Sequence, residues 1–201
     1  MQSLIVLLRH GEIDTSIPRR FLGQTDLPLN EAGIRQARRL GKHLQTIPFT
    51  RIFSSPLQRS LHTATLVSGR PIEEIKRVDG FREIDLGEWE GLTVAEVQAR
   101  FPGSYEQRGR DLEHFRPEGG ESFGDLAARA CPALSALAEH PIGPLLIVAH
   151  AGVNRVMLSR FLCRPLQALL AIPQDYCALN LLRSDNQGVK VAALNLRLAS
   201  L

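Results

Sequence analysis

The chain has 201 residues, 24 of them Lys or Arg and 21 Asp or Glu, for a formal net charge of +3. With 44% hydrophobic and 22% charged residues the balance is that of an ordinary globular protein, which excludes a disordered polymer. The basic residues are spread along the chain rather than clustered, so no nucleic-acid partner is expected. Cys131, Cys163 and Cys177 are odd in number, show no Cys-x-x-Cys spacing and read as reduced thiols. The apolar run at the start is only five residues, too short for a signal peptide or a membrane span, so a cytoplasmic protein without membrane partners is expected.

In chain order, Leu4–Leu8 has the length and branched content of a buried parallel strand, and it ends on Arg9-His10-Gly11. Asn30 suits the N-cap of a helix carrying Ile34, Ala37, Leu40, Leu44 and Ile47 on one face, closed by Pro48. Arg51–Phe53 predicts a short strand. Ser55 as N-cap and Pro56 in the first turn then predict a helix to about Val67, with Arg59 near its positive end and Gly69 as its stop.

Residues 70–92 show little periodicity, with turns at Asp79-Gly80 and Leu86-Gly87. Thr93 and Glu96 form a capping box ahead of Val94, Val97 and Phe101, with Pro102 as terminator. Residues 103–121 are polar and glycine-rich and read as an excursion over the sheet rather than a linker; the stretch from about 80 to 121 is expected to cap the site. Ser122 and Asp125 open a helix with Phe123, Leu126, Ala130, Leu134 and Leu137 on its face, in which Pro132 predicts a kink or break. Leu145–Ala149 predicts a second buried strand ending on His150, followed by a helix from about Val153 to Leu162. Residues 177–183 and 189–196 predict a terminal hairpin. The pattern is that of an α/β fold, a mainly parallel central sheet with helices on both faces, formed by residues 1–201 as one domain.

Two strand ends that each deliver a histidine to a glycine-marked turn point to one ligand site, because open α/β sheets bind ligands at the carboxyl ends of their strands. A phosphate monoester needs charge compensation, a nucleophile and a proton for the departing alkoxide. Arg9 and Arg59 supply guanidinium forks for phosphate oxygens. A neutral His10 supplies a nucleophile, and His150 a donor to the transferring group. The proton donor is sought in the loop containing Glu83, Asp85 and Glu88, and spacing alone does not choose among them. No Cys/His cluster with metal-ligand spacing occurs, so no metal or other cofactor is expected.

The motif Leu8-Arg9-His10-Gly11-Glu12 resembles the signature of the histidine phosphatase superfamily, in its phosphoglycerate-mutase-like branch. The likeness continues through residues 20–29, Ser54-Ser55-Pro56-Leu57-Gln58-Arg59, Arg82-Glu83, Leu86-Gly87-Glu88-Trp89-Glu90-Gly91, Gly119-Gly120-Glu121-Ser122 and Val148-Ala149-His150-Ala151-Gly152, in family order along nearly the whole chain. The resemblance implies a single histidine phosphatase domain with no metal, in which His10 becomes a transient phosphohistidine. Arg9, Arg59 and His150 would complete the phosphate pocket, and Glu83 would act as the acid. Leu22 and Gly23 match substrate-lining positions. Two positions depart from the pattern: Ser16 stands where an Asn is frequent, and Ala151 where Gly is common, its backbone N–H being retained. The resemblance implies phosphate binding at both.

Leu86, three residues after Glu83, stands where mutases place a tyrosine, and the mutases' basic insertion is missing, so hydrolysis is expected over mutase activity. A finer resemblance, through Gly87–Gly91, Pro117–Ser122 and Ile172–Tyr176, is to α-ribazole phosphatases of cobalamin assembly. It implies a small phosphorylated metabolite as substrate, with Leu86, Trp89 and Phe115 as apolar walls for a flat base. The rival readings are a broad-specificity or sugar-phosphate phosphatase, a mutase, and a phosphate-binding module without catalysis. Oligomeric state is not legible.

Overall fold

A computed structural model describes residues 3–15, 17–139, 143–185 and 188–197. The predicted first strand is β1 (Ser3–Arg9), and Asn30 caps α1 (Glu31–Leu44) by accepting the Gly33 N–H. Ile47 and Pro48 fall beyond that helix. β2 (Arg51–Ser54) leads to α2 (Gln58–Ser68). Ser55 is not its N-cap and Pro56 does not open it; Leu57 holds the cap position without a side-chain bond, while Ser55 Oγ accepts from the Leu57 N–H at 3.3 Å and meets His150.

The aperiodic stretch holds a two-residue edge strand, β3 (Lys76–Arg77), and short 3-10 turns at 72–74, 79–81 and 87–89. The capping box at Thr93 and Glu96 starts α3 (Val94–Arg100). The polar excursion contains a short helix that the sequence reading does not name, α4 (Ser104–Arg110); it buries none of its residues fully and so carries no apolar stripe to read. The box at Ser122 and Asp125 starts α5 (Phe123–Ala138), which runs past Pro132 unbroken. Pro132 and Ala128 both face solvent, so water can take the carbonyl that the proline leaves without a donor.

β4 (Leu145–Ala149) precedes α6 (Ala151–Phe161), which begins two residues earlier than the sequence predicts. β5 (Leu179–Asp185) and β6 (Gly188–Leu196) form the expected antiparallel hairpin.

The six strands form one sheet in the order β3-β2-β4-β1-β5-β6. β1, β2, β3 and β4 pair in parallel, and β5 runs antiparallel to both neighbours. Alternation along β1 explains the two layers. Ile5 and Leu7 pack with Leu145, Ile147, α5 and α6 on one face; Val6 and Leu8 pack with Leu146, Val148, α1 and α2 on the other. Each such fully buried aliphatic side chain contributes about 1.5–3 kcal/mol. A sheet sealed on both faces leaves only its strand ends for chemistry.

Glycine fixes the turn after β1. A Cβ on Gly11 would lie 2.7 Å from the Gly33 carbonyl oxygen, so α1 sits against the turn only because both residues lack one.

Candidate active site

β1 and β4 are neighbours with Arg9 registered against Ala149, so both strands release their histidines at one edge. The rings of His10 and His150 stand 5.1 Å apart between centroids. They are 4% and 0% exposed. A ring nitrogen of His10, Nδ1, lies 2.7 Å from the Gly11 carbonyl oxygen. A carbonyl only accepts, so Nδ1 carries the proton and Nε2 keeps its lone pair. Burial first, then Arg9 and Arg59, hold His10 well below the usual histidine value of 6.5, so the ring is neutral at physiological pH. Burial and then Arg59 act in the same direction on His150.

Arg59 is the second residue of α2 and donates from Nη1 to the Thr25 carbonyl at 2.7 Å and from Nη2 to that of Gly23 at 2.6 Å. Its Nε donates to His150 Nδ1 at 3.3 Å, and one N–H on each Nη is left for a ligand. His150 Nε2 lies 2.8 Å from Ser55 Oγ and 3.3 Å from Ser60 Oγ. Arg9 donates from Nη1 to the Gln174 carbonyl at 2.6 Å and lies 3.8 Å over the Tyr176 ring, while its buried Nε has no partner among the described residues. Gln174 is itself anchored by the buried amides of Asn154 and Asn180. Among the described residues neither Arg9 nor Arg59 pairs with a carboxylate within 4.0 Å. Burial lowers both guanidinium pKa values. Two desolvated cations without counter-charges make a site for an anion.

Of the three acids in the loop, Glu83 alone lines the cavity; Glu88 is exposed and Asp85 accepts from the Gly87 N–H in its own turn. The loop is stapled by Arg129, which donates to the carbonyls of Gly80, Arg82 and Glu83 and pairs with Glu121 at 2.7 Å. The Glu83 carboxylate accepts from the backbone N–H groups of Ile84, Gly152 and Val153. It thus occupies the N-terminus of α6, where helices leave donors unsatisfied and favour negative charge. Ala151, first residue of that helix, lines the cavity beside it.

Arg9, His10, Arg59, Glu83 and Ala151 share one cavity of about 290 Å³; His150, expected to donate to the transferring group, does not line it but is fully buried behind Arg59. Leu22 lines it as expected. Gly23 does not: its carbonyl holds Arg59 and its N–H meets Glu90, so it stands behind the wall. Ser16 lies outside the described residues. Leu86 is on the wall, but Trp89 and Phe115 are not; Trp89 is 1% exposed, packed between Phe21 and Phe115, and so cannot flank a flat base. The sequence reading missed Arg19, Arg108, Arg155 and Tyr176, all of which line the cavity. Arg155 was findable: it lies four residues after Ala151 and shares its helix face. Among the described residues no group of three or more His, Cys, Asp or Glu side chains forms a metal cluster, and no helix is long and apolar enough to cross a membrane.

Comparison with known proteins agrees with this geometry. The chain is 34% identical over 170 residues to glucosyl-3-phosphoglycerate phosphatase of Mycobacterium tuberculosis, spanning 80% of this chain and 76% of that protein. It is 33% identical over 165 residues to adenosylcobalamin/α-ribazole phosphatase of Salmonella typhimurium, spanning 81% of each. The crystal structure of the α-ribazole phosphatase from Shigella flexneri superposes with a TM-score of 0.87 at 26% identity, covering 96% of both chains. Residues 5–197 match the profile of the histidine phosphatase superfamily, branch 1, and the chain belongs to that family.

Proposed function

We propose that this phosphatase, acting as a single domain over residues 1–201, hydrolyses monoesters of a small phosphorylated metabolite through a phosphohistidine on His10, without a metal. The carrying observation is the neutral, buried His10, its proton committed to Gly11, beside buried Arg59 and half-buried Arg9, neither paired with a carboxylate among the described residues. His10 Nε2 attacks phosphorus while the bond to the leaving oxygen breaks, and Glu83 delivers the proton to that oxygen. Arg9, Arg59 and the Ala151 N–H hold the phosphoryl oxygens. Arg59 Nε donates to His150 Nδ1, so the neutral ring carries its proton on Nε2, toward Ser55 Oγ, and His150 orients Arg59 on the phosphoryl group. Glu83 then takes a proton from water as its oxygen attacks the phosphohistidine, and phosphate leaves with His10 restored.

Leu86 on the cavity wall brings no hydroxyl to a second substrate, which supports water as acceptor. Leu22 contacts the substrate's leaving group; Ser16 fills the Asn position of the family. The relatives act on a glucosylated phosphoglycerate and on α-ribazole phosphate, and both enter as substrate candidates. The free Cys131, Cys163 and Cys177 fit a reducing compartment, the cytoplasm. Hydrolysis of p-nitrophenyl phosphate in ¹⁸O-water with a chelator present is the test. Turnover with one labelled oxygen in the released phosphate is expected. Loss of turnover in chelator, or transfer to a substrate hydroxyl in place of water, contradicts the proposal.

A further inference from the structure

Among the described residues six arginines line the cavity, Arg9, Arg19, Arg20, Arg59, Arg108 and Arg155, against the single carboxylate of Glu83. Arg9 and Arg59 serve the transferred phosphoryl group. Arg20 is paired with Glu96 at 3.0 Å, and Arg155 donates to the Ile172 carbonyl at 2.9 Å. Arg19 is exposed.

Arg108 differs from all of these. It comes from α4, it is half-buried, and it has no hydrogen-bond or carboxylate partner among the described residues. Its guanidinium carbon rests 5.2 Å from the Phe123 ring centroid, 5.8 Å from Trp89 and 5.9 Å from Phe21. Three aromatic faces hold the cation in place while taking none of its N–H donors. Burial lowers its pKa, and Tyr105 is the titratable neighbour whose charge acts on it, whereas Arg9, Arg59 and Arg155 all feel Glu83. Arg108 therefore stands apart from the phosphoryl end, a positioned fork with its donors uncommitted. Phe21, Leu22, Val94 and Phe123 line the same cavity, so an anion meeting the fork does so between apolar walls.

We propose that Arg108 is a specificity residue that binds a second anionic group of the substrate, a carboxylate or a further phosphate, so that the preferred substrates are phosphorylated acids rather than neutral phosphate esters. The proposal rests on the phosphomonoesterase reading above. It is tested with aldonic acid phosphates of three to six carbons against alditol phosphates of the same length, a pair differing only in a terminal carboxylate. Alditol bisphosphates form a third arm that tells a phosphate from a carboxylate. At the best chain length an anionic terminus is expected to raise kcat/KM about ten- to hundredfold, the worth of a charge-assisted fork. Arg108→Ala is expected to bring that ratio close to one, chiefly through KM, and Arg108→Lys to keep part of it. The ratio is the readout because the alanine also uncovers the aromatic platform. Equal rates for all three arms at every length, or a preference that survives Arg108→Ala, overturns the proposal. Should the wild-type protein hydrolyse no ester at all, the hydrolase reading fails instead; the same ratio, measured as dissociation constants by calorimetry, still decides the role of Arg108.

Discussion

At the floor of the cavity the chemical groups hang from strand ends and helix starts, while on the cap side they come from α3, α4 and the loop after β1. His10 and His150 follow strands whose residues are buried on both faces, and Arg59 and Ala151 open helices packed on those strands. Arg108 comes from a seven-residue helix that buries nothing completely. The floor therefore inherits its geometry from the sheet, whereas α4 lies outside the core and next to α3, which is anchored by buried Val97 and by the pair between Arg20 and Glu96. On the proposals above, chemistry that tolerates no displacement would sit on the first, and substrate choice, which differs among the relatives, on the second.

Substitutions on the floor are the way to break this comparison, since they should remove turnover rather than change its selectivity. His10→Ala is expected to lower kcat/KM for p-nitrophenyl phosphate on the order of 10⁴-fold or more, measured against unchanged thermal unfolding. Glu83→Gln comes next. It should reduce kcat for alkyl phosphates about 10²- to 10³-fold and that for p-nitrophenyl phosphate far less, because a good leaving group needs no proton. A leaving-group dependence identical to wild type would remove Glu83 from the role of acid.

Gly152→Ala sharpens the comparison, because it moves the acid without touching its chemistry. A Cβ at this position collides with Glu83 Oε1, the far end of a flexible side chain, so the helix stays and the carboxylate shifts. Alanine is the better helix residue by about 1 kcal/mol, so the unfolding temperature should hold. Turnover of alkyl phosphates is expected to fall about a hundredfold. Full activity would show that the Glu83 position is not critical.

The smallest effect is on stability. His10 and His150 are both held below the usual 6.5 in the folded protein, so the unfolded chain binds more protons as pH falls past that value. Their contribution is fully present above pH 6.5 and is lost progressively below it. Thermal unfolding measured from pH 8 to pH 5 should show a falling Tm below that point, and His10→Ala should flatten the slope. A Tm independent of pH across that range would mean that the rings are not buried neutral.

The same division governs how much could be read from the sequence. Asn30, Thr93 and Ser122 announced their helices because a cap is a local bond, and the two strand-histidine turns were legible because burial on both faces leaves a continuous apolar run. Ser55 misled because its hydroxyl is shared between His150, 95 residues away, and the Leu57 N–H, so it meets the residue before α2 and none of the N–H groups inside it. α4 was missed for want of an apolar stripe, and with it Arg108, whose neighbours Phe21, Trp89 and Phe123 come from three separate segments. The choice of Glu83 over Asp85 and Glu88 came from family likeness; its physical cause is the start of α6, which spacing does not reveal.

Rapid quenching during turnover of a ³²P-labelled ester, with peptide mapping of the quenched protein, bears most directly on the shared floor of the site. Label on the peptide containing His10, lost in acid and stable in base, is the expected result. Label with the acid stability of a phosphoserine, or label on His150 with His10 bare, would contradict the assignment of His10 as nucleophile.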